Sequence, residues 1–398
     1  MALYFEGGKK MDSKKTTGLT RGGKIVLGLA LTTTTFSAQA AEKYWSYTDC
    51  GTDWWDYNCW SATFGGPLDG TAQPVAGDNV YLYNASDVDY SVYYWNTAYP
   101  SAVLNSLTIN ATGAGTMTLS QTKDNLDTLG EIVGDTGSGA VDQTGGTHSV
   151  TNSLVLGNTA SGSGSFTVSN TATLSSGTLY VGNSGAGTLN IDGSGMVTNV
   201  DSVLGAIAGG VGNATVSGSG SSWTNTGDLV VGASGTGVLN VASGGVVTDA
   251  AGVLGANTGS TGTATVSGSG SSLASSGNLT VGASGTGYLN IDGGGAVSNA
   301  HANLGLYSGG AGTATVSGSG SSWASSDNLT VGASGAGYLV IEVGGAVSNA
   351  YGYLGLNAGG TGTATVSGPG SSWASSGNLT VGVSGTGYLN IDGGGAVS

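Results

Sequence analysis

Enzymes and metal sites need acids, bases, thiols or imidazoles gathered in space, and this chain supplies few of them. It has two His and two Cys among 398 residues, with 23 Asp and Glu against 8 Lys and Arg. A Ser–His–Asp hydrolase would have to use His148 or His301 as its base. His148 has no acidic residue within five positions, and His301 stands where sister segments carry Ala251 and Tyr351. No serine is singled out as a nucleophile, so no catalytic residue is expected. The carboxylates show one pattern: Asp192, Asp292, Glu342 and Asp392 recur at one position, with Ala242 interrupting the row. Cys50 and Cys59, nine positions apart, are expected to form a disulfide in an oxidising compartment. Metal binding is the lesser alternative for them, because neither His lies nearby in sequence.

Aromatic residues offer a second kind of chemistry, stacking against sugar rings. Five of the eight Trp (Trp45, Trp54, Trp55, Trp60 and Trp95) and nine Tyr fall within residues 41–100. Such rings either close the end of a fold or present a sugar-binding surface, and Trp54 and Trp60 are the candidates for the latter. Tyr288, Tyr338 and Tyr388, with Val238 in the same row, form a candidate exposed stripe. The row Trp223, Leu273, Trp323 and Trp373 reads differently. Leu can fill a core but cannot stack on a sugar, so burial is expected there.

What positions these residues is a repeat. Val181-Gly182, Val231-Gly232, Val281-Gly282, Val331-Gly332 and Val381-Gly382 are 50 residues apart, and Leu204-Gly205, Leu254-Gly255, Leu304-Gly305 and Leu354-Gly355 keep the same period between them. Two half-repeats of 23 and 27 residues therefore alternate. A period in this range marks stacked units that cannot bury their apolar faces alone. Within one half-repeat, Asn278-Leu279-Thr280-Val281 alternates polar and apolar residues as a half-buried strand does, and Ala283 to Gly287 is a turn. Tyr288 to Ile291 is a second strand, Asp292 to Gly295 a turn, and Ala296 to Ser298 a third strand. The fold class is all-β: a right-handed parallel β-solenoid with about three short strands per coil, helix content near zero, and Gly at the corners. Regular coils are expected over 103–398, preceded by an aromatic-rich N-terminal cap with the disulfide over 41–102.

This arrangement bounds the chemistry further. Carboxylates 50 residues apart lie two coils apart, near 10 Å, so one ion cannot bridge two of them. No Gly-Gly-x-Gly-x-Asp calcium-binding nonapeptide is present. The acidic row reads as solvated turn residues, and neither metal nor cofactor is expected. The Thr-x-Thr pairs at Thr263/Thr265, Thr313/Thr315 and Thr363/Thr365 suggest an ice-binding ladder. The intervening coils carry Leu289-Asn290-Ile291 or a variant, which breaks it.

Charge is distributed unevenly. Residues 1–40 hold six of the basic residues and two of the acidic ones, so 41–398 carries 2 basic and 21 acidic residues, a net of −19. Phosphate contacts need Lys and Arg, which excludes nucleic acid as a partner. The basic start (Lys14, Lys15, Arg21, Lys24), the apolar run Ile25 to Leu31 and the small residues Ser37 to Ala40 read as a secretory signal cut after Ala40. Either Met1 or Met11 serves as the start.

The stretch Leu279-Thr280-Val281-Gly282-Ala283-Ser284-Gly285-Thr286-Gly287-Tyr288-Leu289-Asn290-Ile291 resembles the repeat of bacterial autotransporter passengers and PEP-CTERM-associated surface proteins. The opening Asn58…Trp60…Pro74…Gly77-Asp78…Val80 is similar to the cap that often precedes such repeats. The resemblance spans about residues 45–398 and is specific for architecture and export class rather than for activity. It implies a non-enzymatic, often adhesive passenger of a type V secretion system, released from or displayed on the outer membrane of a Gram-negative cell. The implied partners are a host or abiotic surface, a glycan or other cells. Such passengers are expected to end in an outer-membrane β-barrel or sorting tail. This sequence stops inside a repeat at Gly393 to Ser398, so that barrel is expected to be separate or missing. The alternative function is a carbohydrate-binding or surface-enzyme module built on the aromatic cap.

Overall fold

The computed structural model describes residues 40–45, 50–68, 73–95 and 102–398. The expected signal segment lies outside them except for Ala40. From Ala40 to Ser398 the chain is one compact unit, wound as a parallel β-solenoid of about 13 turns whose only described helix is the short Tyr57–Cys59. Three strands make one regular turn, for example Thr261–Ser267, Ser272–Ser275 and Leu279–Val281. The first belongs to a 13-stranded sheet, and the other two to a sheet of 25 strands.

Parallel pairing holds register from turn to turn, so each residue stacks on its equivalent. Val241, Val266, Ile291, Val316, Ile341 and Val366 form one inward column of buried side chains. The fixed Gly after each Val or Leu has a local cause. Gly282 sits at φ +71°, and a Cβ there would come within 2.0 Å of the Ala311 carbonyl oxygen of the next turn. Only Gly combines that backbone conformation with so close an approach.

The 50-residue period, twice the length of a turn, also has a packing origin. Inward Ala214, Ala314 and Ala364 alternate along one column with Leu239, Leu289, Leu339 and Leu389. A turn that carries Ala in this column carries Trp across the core (Trp223, Trp323, Trp373), and a turn with Leu carries Val (Val247, Val297, Val347, Val397). Small faces large within each turn, and the assignment reverses in the next. All three Trp are buried, as the Leu in their row suggested. Each indole Nε1 donates to an Asn of the preceding turn: Trp223 to Asn199 at 2.9 Å, Trp323 to Asn299 at 2.7 Å and Trp373 to Asn349 at 2.6 Å.

Within the 50-residue repeats, one turn departs from this scheme. Ala264 is partnered by Leu273 instead of Trp, and the Asn slot beneath holds Asp249. The indole donor and the amide are thus lost together. Asp249 is 4% exposed, and neither carboxylate oxygen has a hydrogen-bond partner of ordinary geometry; nor has the neighbouring Ser275 hydroxyl. Burial pushes the Asp249 carboxyl up to about 6, with Asp228 adding to the rise and Ser275 opposing it.

At the N-terminal end the pairing runs straight through residue 103. Glu42–Trp45 pairs in parallel with Asn79–Asn84, which pairs in parallel with Ser106–Ala111. The aromatic segment therefore supplies the first rungs of the stack. Trp45, Trp54 and Trp60 form an edge-to-face cluster, with Trp60 ring centroids 5.0 Å from both of the others, and the Trp60 indole donates to the Trp54 carbonyl at 3.0 Å. Trp54 is 2% exposed and Trp60 is fully buried. The alternative in which Trp54 and Trp60 present a sugar-binding surface is therefore overturned. Among the described residues no earlier turn covers the core at this end, and large aromatic side chains fill it. Cys50 and Cys59 are joined beside this cluster, with Cα atoms 5.4 Å apart.

Two predictions follow from this packing. Asp249 has a folded-state pKa above its ordinary 3.8, so folding favours its protonated form. That contribution is full below about pH 4 and is lost as pH rises through about 6, on the order of 3 kcal/mol in total. Asp249→Asn should therefore match the parent in urea unfolding near pH 4 and exceed it at pH 7. Adding Leu273→Trp should raise stability beyond the sum of the single changes, because the indole regains its amide acceptor. Equal behaviour at both pH values, or strict additivity, would count against this account. For the end plug, Trp60→Ala should cost about 3–5 kcal/mol and expose Asn79–Asn84 to proteolysis, while amide protection around Val316 stays unchanged.

Candidate functional site

The outward side chains of the early rungs differ from those of the rest of the rod. In Asn79–Asn84, Val80 and Leu82 point inward and are fully buried, which turns Tyr81 and Tyr83 outward. Tyr44 stands opposite Tyr81 in register, and their rings stack at 4.7 Å with an interplanar angle of 12°. Tyr81 and Tyr83 are 5.6 Å apart at 25°. Phe64, itself well exposed, packs edge-on against Tyr83 and Tyr44. Three phenol rings thus form one shelf braced by a fourth ring.

Beyond the shelf the side chains become small. Ser106 and Thr108 occupy the next rung opposite Asn79 and Tyr81, and Ile132 and Val155 follow. The drop in height leaves a hollow of about 430 Å³ lined by Tyr81, Tyr83, Thr108, Ile132, Asp135 and Val155, among others. Tyr44 covers one face of Tyr81, so the opposite face looks over this hollow. Burial first, then hydrogen bonding and charge from Glu42, push the Tyr81 hydroxyl well above the ordinary tyrosine range. Tyr83 is raised by burial and then by the Asp135 carboxylate. Both phenols remain neutral hydrogen-bond donors across the physiological range. Asp135 is held in place by the Asn158 side chain, which donates to Oδ1 at 2.7 Å.

Tyr288, Tyr338 and Tyr388 lie on the outer face of the 13-stranded sheet, 41%, 46% and 55% exposed. Thr313 and Thr363 occupy the rungs between them, and Thr263 the rung before Tyr288. Successive rings are therefore two rungs apart, about 10 Å, and stand singly on a hydroxyl-rich face. They do not form a platform as the N-terminal tyrosines do. The acidic row has the same spacing, with Ser267, Ser317 and Ser367 between the carboxylates. His301 meets Asp327 at 3.4 Å at the surface, where both side chains are well solvated.

His148 is the residue whose surroundings the sequence concealed. It is fully buried, with Nε2 2.6 Å from Glu131 Oε2 and Nδ1 3.0 Å from Gln121 Oε1. The Gln121 amide nitrogen donates to the carbonyls of Asp124 and Thr147, which orients Oε1 as the acceptor toward His148. Nδ1 therefore carries the proton donated to Gln121 Oε1, and Nε2 faces Glu131 Oε2. Phe166 packs edge-on against the imidazole at 5.2 Å. Glu131 and His148 side chains have no solvent exposure, so this group braces the core and has no route to a substrate. The signal available in sequence was parity: Gln121, Gln143 and His148 occupy inward positions of their strands.

No protein-family model matches this chain, and no curated protein matches it. Among solved structures, the chain is similar to the crystal structure of a TibC-catalysed, hyper-glycosylated fragment of TibA. The two are 21% identical, the match covers 80% of this chain and 99% of that one, and the TM-score is 0.36. At that TM-score no functional statement follows from the likeness.

Proposed function

We propose that this chain is a non-enzymatic extracellular rod, the passenger part of an autotransporter-type protein, serving as a stalk and adhesive surface. The observation that carries the reading is the continuous stack itself. About 13 turns spaced about 4.8 Å apart give a rod of roughly 60 Å, with outer faces of Ser, Thr, Asn and Gly. Such faces offer many hydrogen bonds and little electrostatic steering. Single contacts are weak and multiply along the length. The likeness of the Val-Gly repeat to those of exported passengers supports placement outside a Gram-negative cell. Export would use an outer-membrane β-barrel as partner. A second reading, carbohydrate binding at the N-terminal aromatics, is favoured by the Tyr44–Tyr81–Tyr83 shelf and moves the site away from Trp54 and Trp60.

Coil number is the variable that tests the first reading. Deleting residues 251–300 removes one two-turn unit and joins Ala250 to His301, a position that its sister segments fill with Ala or Tyr. Retention of the purified chain on cells and on abiotic surfaces should fall with each unit removed and rise with each unit added. Retention that is independent of turn number, with circular dichroism unchanged, would remove the case for a distributed adhesive surface.

A further inference from the structure

We infer that the hollow beside Tyr81 and Tyr83 binds an amino-sugar glycan, one whose pyranose ring stacks on the tyrosine face and whose free ammonium group meets Asp135. The inference rests on the carbohydrate-binding reading above and specifies its ligand. Three observations carry it.

The first is ring geometry. Tyr44 stacks on Tyr81 at 4.7 Å, Tyr83 lies beside it at 5.6 Å, and Thr108 holds the register position on the side away from Tyr44. The axial C–H face of a pyranose fits such a half-covered aromatic surface, while neighbouring hydroxyls can bond Ser106 and Thr108. Because the tyrosines are fixed by their strands and by Phe64, little side-chain freedom is lost on binding.

The second is charge. Asp135 lines the hollow, and Glu42 lies at the hydroxyl edge of Tyr81. Residues 41–398 contain two basic side chains, Lys43 and Lys123. Neither lines the hollow, and Lys123 lies over the Trp95 ring at 5.6 Å. A uronate or sialylated glycan would meet carboxylates without compensation. An ammonium gains both from Asp135 and from the ring faces, which attract cations.

The third is size. About 430 Å³ lies at the lower end of the range for small-ligand sites and admits one or two sugar rings.

The test uses the full chain and four probes in calorimetry at low salt: a glucosamine tetramer, its fully N-acetylated counterpart, a galacturonate tetramer and tetralysine. The glucosamine tetramer should bind, at least tenfold more tightly than the other three, and should weaken several-fold in 0.5 M salt. Tyr81→Ala and Asp135→Asn should each reduce its affinity tenfold or more, whereas Tyr338→Ala should leave it unchanged. Asp135→Asn keeps the shape of the side chain and serves as the probe should Tyr81→Ala disturb the fold. No binding of the glucosamine tetramer, or binding indifferent to Asp135→Asn, overturns the proposal. Equal binding of the N-acetylated tetramer with loss on Tyr81→Ala overturns the ammonium assignment and leaves the sugar-binding reading standing. Tetralysine binding as tightly as glucosamine, and insensitive to Tyr81→Ala, overturns both.

Discussion

Everything in this molecule depends on the in-register stacking of one turn upon the next. A single turn of about 25 residues has too few side chains to enclose a core. Its Leu, Val and Ile become buried only because the equivalent residues above and below cover them, each contributing about 1.5–3 kcal/mol when fully removed from water. The same register satisfies the backbone, since the N–H and C=O groups of each rung pair with those of its neighbours. Register also converts sequence period into spatial columns, which is why a substitution at one rung is felt two rungs away only through packing. The alternation of Ala with Leu on one wall and Trp with Val on the other shows the constraint at work. Two turns, not one, are the smallest unit that fills the core evenly.

Much of this was legible in the sequence, because a repeat prints its geometry many times over. The Val-Gly and Leu-Gly series marked the corners, the two-residue alternation marked strands, and one Leu among three Trp marked that row as buried. Legibility failed where the repetition stops. Trp54 and Trp60 have no sister residues to betray which way they point, and abundance of aromatic side chains fits a plug and a platform equally well. Tyr81 and Tyr83, the rings that do face outward, take their direction from the alternation along the strand Asn79–Asn84. Glu131 and His148 could not be paired by inspection, because their contact depends on which inward slots of adjacent turns coincide. Asp249 was visible only as one of many Asp. Its meaning emerges when Leu273 is seen to remove the donor that its Asn counterparts use.

The irregular sites divide by accessibility. Asp249 and the Glu131–His148 pair carry ionisable groups into the core, where they bear on stability and stand out of reach of a ligand. A buried charge-bearing group of this kind costs free energy unless it is protonated or paired. Glu131 and His148 hydrogen-bond each other with Gln121 in support, whereas Asp249 lacks such partners and burial favours its protonated form. The two solutions differ because the early turns place Gln in the core, and the later turns place Asn beneath Trp.

Specific recognition on a solenoid has to come from a rung that differs from its neighbours. A ligand bound to identical rungs can slide from one to the next with little change in energy, which suits adhesion and defeats selectivity. The face bearing Tyr288, Tyr338 and Tyr388 is of that kind, with each tyrosine in a near-identical setting of Thr and Asn. The step from Tyr81 and Tyr83 down to Thr108 occurs once among the described rungs, and it brings a ring face, hydroxyls and the Asp135 carboxylate to one hollow. On the proposed reading, a rod that adheres along its length and recognises one chemistry near its N-terminal end would divide the two tasks between repeat and exception. Selectivity would, on that reading, reside at this hollow, while at Leu273 the burial of Asp249 ties stability to pH.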